Sequence, residues 1–142
     1  MAADAWVVHD KFKENILKGD IDTDTDTFSI RLYTSASNIA TTSLEAVGSA
    51  TNELSGNGYT AGGITRTVTV SESSGTTTFD IADAQWTASG GSITARYAAI
   101  IDDTTSEVVA HSLLDNTPAD VTATDGNTFS VNINASGAFT IA

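Results

Sequence analysis

At 142 residues, 40% of them hydrophobic, the chain is long enough to form one domain with a real core. Its 18 acidic and 6 basic residues give a formal net charge of −12, which disfavours nucleic acid and anionic lipid as partners. With no cysteine, thiol catalysis, disulfides and Cys-based zinc sites are excluded.

In chain order, residues 3–18 come first. Val8, Phe12 and Ile16 recur at four-residue spacing and Leu17 widens the stripe, which predicts an amphipathic helix stopped by Gly19. Lys11, Lys13 and Lys18 balance Asp4, Asp10 and Glu14, so this segment is neutral and the whole −12 falls on residues 19–142. Trp6 and Val7 also require burial. The expected organisation is a helical arm, 1–19, followed by a β domain, 20–142. The N-terminus lacks a basic start followed by an apolar stretch, and no apolar run is long enough to cross a membrane, so neither export nor membrane insertion is expected.

"DIDTDTDTF" then sets Asp20, Asp22, Asp24 and Asp26 at alternating positions, a spacing that suggests calcium ligands. An EF-hand loop counted from Asp20 would require glycine and glutamate where Thr25 and Arg31 stand. The favoured reading is a solvated turn leading into a strand, with no metal site assigned.

Beyond it the period becomes two. "TFSIRLYT" turns Phe28, Ile30 and Leu32 one way and Ser29, Arg31 and Tyr33 the other. Residues 38–54 are ambiguous, with a short helix capped by Thr42 or Ser43 as one option. "SGNGYTAGG" (55–63) is glycine-rich, but a phosphate loop would lead into a helix carrying lysine, whereas "ITRTVTV" follows. Gly56, Gly58, Gly62 and Gly63 are therefore expected to form linked turns with Tyr59 packed between them. "ITARYAAII" (93–101) alternates, placing Ile93, Ala95, Tyr97, Ala99 and Ile101 on one face and Arg96 on the other. "IIDDTTSEVV" reads as a hairpin, and 106–114, 128–133 and 138–142 as further strands. The predicted class is all-β with an N-terminal helix: an antiparallel sandwich (jelly-roll or Ig-like) or a small barrel.

Catalytic signals are sparse. His9 falls on the expected helix and His111 in a strand, with no connected set around either, and Asp80 and Asp83 only flank Ile81. No enzyme activity and no cofactor are expected. Trp86 and Tyr97 read as core. Trp6, Val8, Phe12, Ile16 and Leu17 are the candidate partner contacts, because a helix stripe beside a β core needs its own sandwich or another chain to cover it.

Three stretches in order, "KFKENILKGDIDTDTDTFSIRLYT", "LSGNGYTAGG" and "WTASGGSITARYAAIIDDTT", resemble a family of small structural proteins of tailed bacteriophages. The likeness covers roughly residues 11–105 and lies in the order of the pieces more than in any one of them. It implies a virion component without catalytic residues, best fitted among virion roles by a capsid decoration (cement) protein. Such a protein binds the major capsid protein from outside the shell, commonly as a homotrimer, after assembly in the host cytoplasm. On that reading the arm contacts the shell, and deleting residues 2–18 abolishes binding but leaves the domain folded. A tail- or fibre-associated protein is the nearest alternative; an adhesin or carbohydrate-binding module is more remote, since it would want secretion and an aromatic platform.

Overall fold

The computed structural model describes residues 2–142; Met1, part of the expected 1–19 arm, lies outside the described residues. Among the described residues, twelve strands and one α-helix follow in the order β1 (Val7–Val8), α1 (Asp10–Lys18), β2 (Phe28–Tyr33), β3 (Ile64–Arg66), β4 (Val68–Ser73), β5 (Thr76–Ile81), β6 (Ala84–Thr87), β7 (Ile93–Ala95), β8 (Tyr97–Asp102), β9 (Glu107–Leu113), β10 (Val121–Ala123), β11 (Thr128–Val131) and β12 (Phe139–Ile141).

One layer is a five-stranded antiparallel sheet in the order β1-β9-β8-β2-β3. The opposing layer is assembled from three smaller pieces, β12-β5-β4, β11-β6 and β10-β7. The sheets stay open, so the molecule is an antiparallel β-sandwich with one helix near its N-terminus, and not a barrel. Between the layers lie Phe28, Ile30, Leu32, Phe79, Trp86 and Phe129, among others.

Two of the long alternating runs each divide between the layers. "ITRTVTV" breaks at Thr67, with β3 pairing with β2 and β4 pairing with β5. "ITARYAAII" breaks at Arg96, with β7 pairing with β10 and β8 with β2 and β9. The break shifts the alternation by one residue. Ile93 and Ala95 face the main core together with Ala98 and Ile100, whereas Tyr97, Ala99 and Ile101 face a second cluster, so the expected single face is corrected.

That second cluster covers the other side of the five-stranded sheet. Ile39, Leu44, Val47 and Ala50 from the 34–54 excursion pack over Tyr33, Ala99, Ile101 and Val108. The excursion consists of turns with one short 3₁₀ turn, Val47–Ser49, and no α-helix starts at Thr42 or Ser43. The other side of β2 is thus covered too: Ser29 and Tyr33 are buried and Arg31 partly so.

The N-terminus departs furthest from expectation. The helix begins only at Asp10, with His9 in extended conformation before it, and Trp6, Val7 and Val8 are not helical. Val7 and Val8, β-branched and suited to a strand, pair with His111 and Ala110 on the edge of β9. The stop at Gly19 is as expected: φ is 81°, Gly19 N–H bonds Ile16 O and Asp20 N–H bonds Asn15 O, a Schellman closure. The helix does not project as an arm. Phe12 is 1% exposed and meets Phe79 and Phe139 edge-to-face at 6.2 and 5.8 Å. Residues 2–18 give Phe12 to the main core and cover the edge of β9, so deleting them is expected to cost the fold, contrary to the expectation that the domain survives.

Candidate functional site

Residues 2–9 form a strap along β9 that leads into α1. Asn116 N–H bonds Ala2 O, Asp4 N–H bonds Leu113 O, His9 N–H bonds Val109 O, and Asp10 N–H bonds Thr42 O. The Ser112 hydroxyl adds a bond to Asp4 O at 2.8 Å. Between this strap and β11 runs an open groove of about 720 Å³, whose walls include Asp4, Trp6, Leu114, Phe129, Asn132 and Ile133. Its mixed lining, with Asp4 as its one charged member, suits an extended, neutral or basic segment better than an acidic one.

The five candidate partner contacts are dispersed by the fold. Phe12 belongs to the interior, and Val8 and Ile16 are half-buried against the main core. Trp6 is half-buried on the groove wall, and Leu17 stands 90% exposed at the end of α1. A continuous helical stripe therefore does not exist, because the four-residue spacing runs from a strand into a helix.

The glycine-rich stretch is sealed onto the body. Gly56, Gly58, Gly62 and Gly63 all have positive φ, as linked turns require. Tyr59 is buried against Trp86, with ring centroids 5.4 Å apart. Its hydroxyl accepts from Leu32 N–H at 3.0 Å and donates to Glu53 Oε1 at 2.8 Å, and Gly62 N–H donates to the same carboxylate oxygen. The Gly56, Tyr59 and Gly63 N–H groups bond within the turns and Gly62 N–H bonds Glu53, so these four are committed inside the protein rather than to an anion.

In the aspartate stretch, carboxylates bond the backbone of their own turn. Asp24 N–H donates to Asp22 Oδ1 and Asp22 N–H to Asp26 Oδ2. The Asp24 N–H and the Thr25 hydroxyl hold the Asp22 carboxyl below its ordinary range. Among the described residues, no group of three or more His, Asp or Glu is arranged to hold a metal ion. Asp80 and Asp83 do not converge either: Asp80 pairs with Thr69 across β4–β5, and Asp83 accepts from Ile133 N–H.

Two pairings escaped the sequence. Asn15, buried on α1, donates to both Glu45 Oε1 and Glu107 Oε2, tying helix, excursion and β9 together. His9 and His111, each unconnected in the sequence, meet with His9 Nε2 2.9 Å from His111 Nδ1. Their separation of 102 positions leaves no local signal; only the pairing of β1 with β9 joins them.

No protein-family model, no curated protein and no solved structure matches the chain. No described helix is long and apolar enough to cross a membrane.

Proposed function

We propose that the chain is a structural component of a tailed-bacteriophage virion, and within the virion a capsid decoration protein. The observation that carries this reading is that the three stretches of the family resemblance form one physical unit. Tyr59 of the second stretch packs on Trp86 of the third, and its hydroxyl takes the N–H of Leu32 in the first. A pattern held together by one buried tyrosine is harder to reach by coincidence than three separate turn and strand motifs.

Charge and shape support the same role. The excess of acid lies outside the neutral first 18 residues, so the sandwich surface repels DNA and other particles. A cement protein stabilises a shell by binding the assembled lattice better than free subunits, and many modest contacts then act together. With Phe12 inside, contact with the major capsid protein falls to the Trp6 groove and the exposed Leu17, and a homotrimer would present three such surfaces.

Copy number per purified virion, by quantitative mass spectrometry normalised to the major capsid protein, tests the reading. Hundreds of copies in fixed ratio to the shell protein support decoration. A few dozen or fewer move the chain to the tail or one vertex, and absence from virions ends the structural reading.

A further inference from the structure

The tautomers of His9 and His111 follow from their partners. His9 Nδ1 lies 2.8 Å from the Leu44 carbonyl oxygen, which only accepts, so that nitrogen carries a proton. A neutral imidazole has one N–H, which leaves His9 Nε2 bare. The 2.9 Å contact is therefore an N–H···N bond donated by His111 Nδ1, with both rings neutral.

The surroundings favour that neutral state. His9 is fully buried and His111 nearly so. On α1, Asp10 is the charged group facing His9, and the Leu44 and Ile39 carbonyls face it from the excursion. On β8, Tyr97 packs edge-on to His111 at 6.4 Å, and Ala99 pairs opposite it. On β9 its neighbours are Ala110 and Ser112, and on β1 it pairs with Val7. Among the described residues, no charged side chain is hydrogen-bonded to either ring.

We propose that the His9–His111 pair is an acid-sensitive latch that holds the N-terminal strap on β9 and, with it, one wall of the Trp6 groove. A first proton on His111 Nε2 leaves the N–H···N bond in place but puts a charge in a dry site. A second, on His9 Nε2, removes the acceptor and sets two like charges face to face. Beyond this bond the strap is held by the short β1 pairing, a few backbone bonds and half-buried Trp6, while residues 2–5 are exposed. A segment held by so few contacts can open without the rest of the sandwich.

Burial holds both imidazoles below their ordinary range, and the nearness of His9 contributes at His111, which titrates at about 4. A released histidine titrates near 6.5, so the open form takes up protons first. The latch is at full strength above about pH 7. Between about pH 6.5 and 4 the latched-to-open ratio falls by up to about tenfold per pH unit through His111, and His9 adds a fall of the same sign.

The two tryptophans permit a direct test. With Trp86→Phe, Trp6 on the strap is the sole indole; with Trp6→Phe, Trp86 reports the core. Between about pH 6.5 and 4, Trp6 emission should shift red while Trp86 emission remains native. His111→Asn, whose amide can still donate to His9 Nε2, should move the Trp6 transition down by about one pH unit or more. Coincident Trp6 and Trp86 transitions, or an unmoved midpoint in His111→Asn, overturn the latch. Should His111→Asn not fold at pH 7, hydrogen exchange of the unsubstituted protein decides. The open fraction at the Asp4 and His9 amides should rise about tenfold or more from pH 7 to 5 while Ile100 stays protected; an unchanged open fraction overturns the proposal.

Discussion

The Tyr59 hydroxyl lies 3.0 Å from Leu32 N and 2.8 Å from Glu53 Oε1, so one buried oxygen accepts from the backbone of β2 and donates to a carboxylate. Burial, with the Glu53 charge adding, pushes the phenol above its ordinary range and keeps it a donor wherever the fold persists. Tyr59→Phe preserves the ring against Trp86 but strands the Leu32 N–H and one Glu53 lone pair. The expected loss is about 1–3 kcal/mol, read as a lower urea midpoint at unchanged slope. A change under about 0.5 kcal/mol would mean that the hydroxyl does not join these elements.

Two glycines of the same turn should respond unequally. Gly56 has φ 83° and open space where a Cβ would go, so Gly56→Ala meets backbone strain alone, about 1 kcal/mol. At Gly58, φ is 92° and a Cβ would stand 2.0 Å from the Thr87 carbonyl oxygen. Gly58→Ala should therefore be worse by about 2 kcal/mol or more, a drop several degrees larger in thermal midpoint. Equal melting of the two variants would show that the turn is not pressed against β6.

The turn, the β8–β9 hairpin and the alternation of β2 were legible because each is local: glycines at bends, polar residues between apolar pairs, period two. What escaped depends on contacts distant in sequence. Ala98, Ala99, Ile100 and Ile101 are all buried because the excursion covers the side of β8 turned away from the main core, and that double burial hides the phase slip at Arg96. β5 carries only Phe79 and Ile81 among threonines and aspartate, so β-branched Thr was its real signal. Val8 falls four before Phe12 and mimics a helix face, yet the free edge of β9 takes it as a strand. Of the candidate contacts, Leu17 kept its exposure and Phe12 could not, since the aromatic cluster that buries it comes from β5 and β12.

Phe12 and Leu17 therefore separate stability from surface function. Phe12→Ala removes a ring packed on Phe79 and Phe139 and should cost about 3–5 kcal/mol. Leu17→Ala should change stability by no more than about 0.5 kcal/mol. If the end of α1 contacts a shell, Leu17→Asp weakens shell binding in a sedimentation assay and leaves the melting curve in place. Equal destabilisation by Phe12→Ala and Leu17→Ala would contradict the packing described.

Asp102 should make stability fall as pH rises, opposite in sign to the histidine pair. Its carboxyl is 0% exposed; Oδ1 accepts from Thr104 and Thr105 N–H, while Oδ2 is buried without a donor. Burial is the largest cause raising it, the Asp26 carboxyl adds, and the two N–H groups oppose in part, so that it titrates at about 6. An unfolded aspartate titrates near 3.9, so the native state binds the extra proton between about pH 4 and 6. Asp102 is accordingly most favourable below about pH 4, and that contribution is lost as pH rises through 6. Asp102→Asn keeps an acceptor for the two N–H groups and offers Asp26 a permanent donor. The variant should gain on the unsubstituted protein by about 1–3 kcal/mol from pH 4 to 7. Taking the difference between the two proteins cancels the histidines, which both retain. Urea denaturation at pH 4, 5.5 and 7 reads it directly, and parallel curves would show that Asp102 is charged in the native state throughout.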